Sequence, residues 1–166
     1  MPKEIELSGV YAVMTNPDGN KIAFVPLQPE DMANGGKAEK IRSADAYVRL
    51  EGDMYGTVSG AVEAGELPDD AIRREIQEEL QIDPSSVLLT NGLAELSVQQ
   101  LRKGVEVKFN TQGYHVGLSS SVVQRVQEHQ PVTEVSLGAI DTFLKRELIR
   151  PSTKQAVLLF LARLQP

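Results

Sequence analysis

The chain has 166 residues, 41% of them hydrophobic and 24% charged, an ordinary composition for a globular protein with its own core; we expect one domain over 1–166. A net charge of −6 argues against a nucleic-acid polymer as the main partner, though not against nucleotides, whose phosphates a metal can screen. With no cysteine, disulfides and thiolate metal sites are excluded, and two histidines are too few for a histidine-rich zinc centre.

The longest apolar run, 156–162, is far too short to span a bilayer, and the opening residues MPKEIELSG carry no apolar signal segment. We therefore expect a cytoplasmic protein with no membrane partner; a homodimer stays open. In chain order, 5–14 reads as a strand rich in β-branched and aromatic residues and 21–27 as its partner, with the turn signal TNPDGN between them. Residues 28–43 are polar, contain Pro29 and Gly35-Gly36, and read as a loop long enough to suggest function or mobility. Residues 46–50 and 55–58 read as short strands. A helix follows at 69–80: Pro68 suits a first turn, Asp69 and Asp70 complement the dipole, and Ile72, Ile76 and Leu80 form an apolar stripe. Residues 87–90, 93–101 and 105–118 read as three strands, the last two joined by a turn at Arg102-Lys103-Gly104. The segment 119–130 is a loop or a short helix. Residues 132–140 read as a strand, 141–148 as a short helix, and 152–164 as a longer helix started by Pro151. This order belongs to the α/β or α+β class, a sheet covered on two faces.

Glu75, Glu78 and Glu79 stand at i, i+3 and i+4 of the first helix and occupy roughly 100° of one face. Like charges at i,i+4 destabilise a helix by about 0.2–0.5 kcal/mol per pair, so the cluster makes more sense around a cation. Oxygen ligands select a hard divalent ion, Mg²⁺ above all, with Mn²⁺ as an alternative. The carboxylate arc lies beside the apolar stripe, at the rim of the packed interface.

With Gly60, Glu66, Arg74 and Ile82 in register, these residues resemble the box of the Nudix hydrolase family: Gly, five residues, Glu, seven residues, Arg-Glu, an aliphatic, any residue, Glu-Glu, any residue, Gly, an aliphatic. Chance agreement at six fixed positions is about 10⁻⁷ per window. The one departure is Gln81 in place of glycine; it falls at the helix exit and bears on the loop geometry there, not on the carboxylates. The resemblance implies an α/β/α sandwich around a mixed sheet and Mg²⁺-dependent hydrolysis of a phosphoanhydride in a nucleoside diphosphate derivative. It assigns Glu75, Glu78 and Glu79 to the metal, adds the backbone carbonyl of Ser59, and makes Gly60, Glu66 and Arg74 structural.

A further acid outside the box is expected. Glu128, in the pair Glu128-His129, is similar to a Glu-His of nucleoside triphosphate and dinucleoside tetraphosphate hydrolases that binds metal or acts as base; Glu134 and Glu106 are alternatives. The catalytic set is thus Glu75, Glu78 and Glu128. Val58-Ser59 before the box and the stretch PSTKQAV at 151–157 resemble pyrophosphohydrolases of dATP and dihydroneopterin triphosphate. The expected substrate is a nucleoside triphosphate-like compound giving monophosphate and pyrophosphate. Dinucleoside polyphosphates, nucleotide sugars, or a non-catalytic binding or regulatory module are the alternatives. Tyr55, Phe109 and Tyr114 are candidate stacking platforms, each with ordinary packing as its bland reading. Arg42, Arg49, Lys103 and Lys108 are phosphate contacts or plain surface charges. His115 reads as a buried, hydrogen-bonded histidine, and 34–37 is too weak to name a phosphate cradle.

Overall fold

The computed structural model describes residues 5–28 and 37–164, so the two-glycine segment 34–36 lies outside the described residues. Among these residues nine strands form one mixed sheet: β1 (Ile5–Thr15), β2 (Lys21–Pro26), β3 (Ala38–Ile41), β4 (Val48–Arg49), β5 (Tyr55–Gly56), β6 (Ser59–Ala61), β7 (Leu88–Arg102), β8 (Val105–Gly117) and β9 (Thr133–Ser136). Their order is β4-β3-β7-β8-β1-β2-β5, with β6 added to β1 and β9 to β2. The β1–β8 pair is parallel along the whole of β1, Ile5 opposite Val107 to Thr15 opposite Gly117, and every other pair is antiparallel.

Among the described residues, four helices cover the two faces. Helices α1 (Pro68–Leu80) and α2 (Ser120–Gln127) lie on one, α3 (Ile140–Arg146) and α4 (Pro151–Leu164) on the other. The period of two along β1 divides its side chains between the layers: Val10, Ala12 and Met14 pack with Ile72, Ile76, Leu80 and Val126, while Tyr11 and Val13 pack with Ile140, Ala156, Val157 and Phe160. Burying each large aliphatic of the α1 stripe contributes about 1.5–3 kcal/mol. This is the α/β/α arrangement that the resemblance implies. Among the described residues no helix is long and apolar enough to cross a membrane.

Two readings of the chain are corrected, and one left open between loop and helix is resolved. Residues 38–41, expected inside a loop, form β3, because their ladder to β7 (Ala38 opposite Leu101 to Ile41 opposite Val98) supplies hydrogen bonds that the local polar pattern does not announce. Residues 87–90 and 93–101 are not two strands but the single β7, whose register shifts between Asn91 and Leu96 around Gly92 at φ 113°. A bulge breaks the alternation without breaking the ladder. The ambiguous 119–130 contains α2, capped by the Ser119 hydroxyl accepting from Val122 N–H at 3.3 Å.

The turn at 102–104 forms as expected, with Lys103 and Gly104 both at positive φ. Gln81 ends α1 in the left-handed region at φ 56°, ψ 42°, its N–H bonded to Gln77 O at 3.1 Å. The backbone thus takes the conformation that glycine favours, despite the side chain. Gln81→Gly is therefore expected to raise stability by about 0.5–1 kcal/mol, read as a higher urea midpoint at unchanged slope.

His115 is half-buried, bonded to Thr15 Oγ1 at 2.7 Å, and burial holds its pKa below the ordinary value. The unfolded chain therefore binds the extra proton more readily, and this group's contribution is complete above about pH 6.5 and lost as pH falls through the depressed folded value. His115→Gln should flatten the slope of stability against pH below 6.5; an unchanged slope refutes the assignment.

Candidate active site

Strand β6 sets the geometry. It meets β1 with Val10 opposite Gly60, and its neighbours Val58 and Val62 bond to β1 through Ala12 N–H to Val58 O and Val62 N–H to Ser8 O, both 2.9 Å. Main-chain groups alternate along an antiparallel strand, so those of Ser59 and Ala61 face away from β1, towards α1. Both edges are used there. Ser59 N–H donates to Glu79 Oε2 at 3.0 Å, and Ala61 O accepts from Arg74 Nη2 at 2.9 Å. The Ser59 carbonyl points along the same outward edge as its N–H.

Arg74 joins the pieces. Its Nε and Nη2 form a bidentate pair with Glu66 at 2.9 and 3.0 Å, and its Nη1 donates to Glu75 Oε1 at 2.8 Å and Glu78 Oε2 at 3.3 Å. These bonds, Glu66 first, raise the Arg74 pKa above its already high value, and the same pair holds Glu66 below the usual carboxylate range. Glu66 also accepts from Glu63 N–H at 3.1 Å, which closes the loop before the helix.

Glycine at 60 is required by distance. A Cβ there would stand 2.1 Å from Glu75 Oε1 and 2.3 Å from its carboxyl carbon, so only a hydrogen lets the Glu75 side chain cross the strand. Glu75 and Glu79 are buried, 9% and 6% exposed, whereas Glu78 is on the exposed side of the helix. At α1's far end the Gln130 amide donates to the Glu79 carbonyl and its own oxygen accepts from Gln28.

The donors are hard oxygens, two of them in the buried carboxylates of Glu75 and Glu79 one turn apart, the first held by Arg74 and the second by Ser59 N–H, and that chemistry fits a divalent cation. Here Arg74 and the Ser59 N–H hold them, and among the described residues no three acidic or histidine side chains converge on one point. Glu128 is exposed at the end of α2, two residues before Gln130, whose amide reaches the Glu79 carbonyl. Glu106 accepts from Tyr47 at 2.6 Å near the β7–β8 turn, and Glu134 lies on β9 beyond β2; both are on other parts of the sheet.

The aromatic candidates separate. Tyr114 is a core residue beneath α1, 1% exposed, its hydroxyl donating to Asp69. Burial, then the Asp69 bond, push its pKa up. Tyr55 is locked between Phe24 and Phe143 on the α3 side, with centroids 6.2 and 5.0 Å away. Of the three, Phe109 lines a cavity that also touches Ser59, Gly60 and Ala61, about 60 Å³ in volume. Of the cations, Arg49 pairs with Glu51 and Lys108 with Glu6, while Arg42 and Lys103 are exposed.

The cavity brings in residues that sequence reasoning missed. Buried Glu39 accepts from Arg150 Nε at 2.6 Å, with Gln100 and Arg102 beside them. Their partnerships cross up to 111 positions, and no local pattern marks them.

Comparison with known proteins places the box in context. The profile described as NUDIX domain matches residues 9–113. The MutT protein from Methanosarcina mazei Go1 superposes with a TM-score of 0.58 at 14% identity, over 99% of this chain and 100% of that one. The E. coli dihydroneopterin triphosphate pyrophosphohydrolase gives 0.55 at 15%, over 96% and 99%. Shewanella oneidensis NrtR, complexed with a 27mer DNA, gives 0.57 at 16%, over 94% of this chain but 61% of NrtR. At these identities the likeness is one of fold. Comparison with curated protein sequences gives no match.

Saturating Mg²⁺, at about 100 times its Kd, is expected to stabilise the folded chain by roughly 2.7 kcal/mol. Glu79→Gln should lose most of that increment in the same thermal melts. An increment equal in both proteins would show that the ion does not bind here.

Proposed function

The chain belongs to the Nudix family, whose members generally hydrolyse nucleoside diphosphate derivatives, and from that premise we propose that this hydrolase cleaves a nucleoside triphosphate-like compound to monophosphate and pyrophosphate. The observation that carries the reading is the meeting of strand edge and helix: Ser59 N–H on Glu79, and Glu75 lying across Gly60. It gathers carboxylates and a free-facing carbonyl where a diphosphate bound along β6 presents its oxygens. The similarity to a dihydroneopterin triphosphate pyrophosphohydrolase supports a triphosphate. The longer, DNA-bound NrtR suggests a regulatory module instead. The intact glutamate set and net negative charge favour turnover.

Glu75, Glu79 and Glu78, with the Ser59 carbonyl and Glu128, are the residues to hold Mg²⁺ or Mn²⁺, which when bound neutralises phosphate charge and makes water more acidic. The chain's own part is positional and acid–base. Glu66, through Arg74, sets the angle of the loop against α1. Arg74 in turn aims Glu75 and Glu78. A carboxylate of Glu75, Glu78 or Glu128 takes the proton of the attacking water. The water oxygen bonds to phosphorus, the anhydride P–O bond between the first and second phosphates breaks, and the electron pair leaves on pyrophosphate.

The test is a nucleotide panel with Mg²⁺, following inorganic phosphate with and without added pyrophosphatase. Signal only with pyrophosphatase is expected; phosphate released without it, or no turnover of any compound, overturns the reading. Gly60→Ala forces Glu75 aside and should lower kcat at least about 100-fold. A melting point kept within a few degrees would separate that loss from unfolding.

A further inference from the structure

The cavity beside Ser59–Ala61 has a second end that the hydrolytic machinery does not use. Across the sheet the strands run β3, β7, β8, β1 and then β6, so Glu39 and Ser59 lie on strands four places apart. One cavity touches both. A nucleotide whose phosphates met the β6 end would turn its base towards β3.

At that far end Glu39 is 1% exposed and only half satisfied. Its Oε2 accepts from Arg150, while Oε1 is shut off from solvent with no hydrogen-bond partner. A buried acceptor left in this state is rare in folded proteins and asks for a donor. Directly across the ladder, in register with Glu39, stands buried Gln100. Arg102 Nε donates to Gln100 Oε1 at 2.9 Å, which leaves the Gln100 NH₂ to donate. The wall beside them is the ring of Phe109, with the Arg102 guanidinium 5.1 Å from its centroid.

We infer that this end of the cavity reads the base of the substrate, and that it selects an amino-lactam edge, the carbonyl, ring N–H and adjacent amino group of guanine, which pterins share. The inference rests on the triphosphate reading above. A carboxylate only accepts, so Glu39 takes the two neighbouring N–H groups, and the Gln100 amide donates to the carbonyl. Adenine and cytosine offer one donor beside a bare ring nitrogen. Thymine and uracil set a second carbonyl against the carboxylate, which repels it.

Calorimetry of the full chain with GMP, AMP, CMP and UMP reads the pocket without turnover. GMP is expected to bind at least about tenfold more tightly than the others. Glu39→Gln, which replaces one acceptor oxygen by a donor, should erase that preference. Because Glu39 also anchors Arg150, Gln100→Leu is the second variant; it should weaken GMP and leave UMP unchanged. Guanosine and neopterin separate the two sources of the edge: equal binding supports the shared edge, and guanosine alone supports it in its purine form. Equal affinity for the four monophosphates, or a GMP preference that survives both substitutions, overturns the inference. A failure of the hydrolase reading shows separately, as nucleotides bound but not cleaved.

Discussion

One guanidinium holds the site together. Arg74 bonds Glu66 twice, reaches the carbonyl of Ala61, and touches Glu75 and Glu78, so a loop, a strand edge and a helix face are referred to one planar group. A planar fork suits this task because its donors leave in fixed directions, and Lys could not replace it. The energetic worth of the individual pairs is modest at a partly exposed position. Their geometric worth is larger. Four carboxylates approach this one cation within 4 Å, so the strand edge stays strongly negative even with Arg74 in place. The tie that orders the acids also leaves a negative edge of the kind that suits a hard cation.

That edge exists because β1 changes partner along its length. It pairs with β6 at Gly9, Val10 and Tyr11 and with β2 only at Met14 and Thr15. A short strand laid against a long one leaves its outer side unpaired, and the outward groups of Ser59 and Ala61 are then available to side chains of α1. On its opposite side β1 is fixed by the full parallel ladder to β8, and above and below by two apolar layers. The rigid centre and the open edge are consequences of one strand's position. The cavity that touches this edge also touches β3 and a buried charged pair there, Glu39 and Arg150.

Legibility in the sequence followed the range of the causes. Helix α1 was readable because its start, its apolar stripe and its acids all repeat within thirteen residues. The turn at 102–104 was readable because positive φ at two adjacent positions has a local signature. Strand β3 was not, since four residues reading Ala-Glu-Lys-Ile gain their conformation from Gln99, Gln100 and Leu101, about sixty positions on. The bulge in β7 hid a continuous strand for a related reason: one irregular step shifts the alternation, and a periodicity argument then sees two strands. Tyr114 and Tyr55 were placed on strands correctly, but the face that each presents depends on register, which puts one under α1 and the other against Phe143.

The sequence by itself determined the chemistry of the site. Spacing along a helix is a local property, and Gly60, Glu66, Arg74 and the three glutamates stand at separations that define which side chains share a face. It also determined that a sheet would be covered on two sides, since alternation and the 3.6-residue repeat are written into each segment. Tertiary structure alone decided which backbone groups face the acids and why position 60 admits no side chain. It decided too that Glu39, Gln100, Arg102 and Arg150 meet at the end of one cavity. Those outcomes depend on strand order and register, and register is set by packing between residues far apart in the chain.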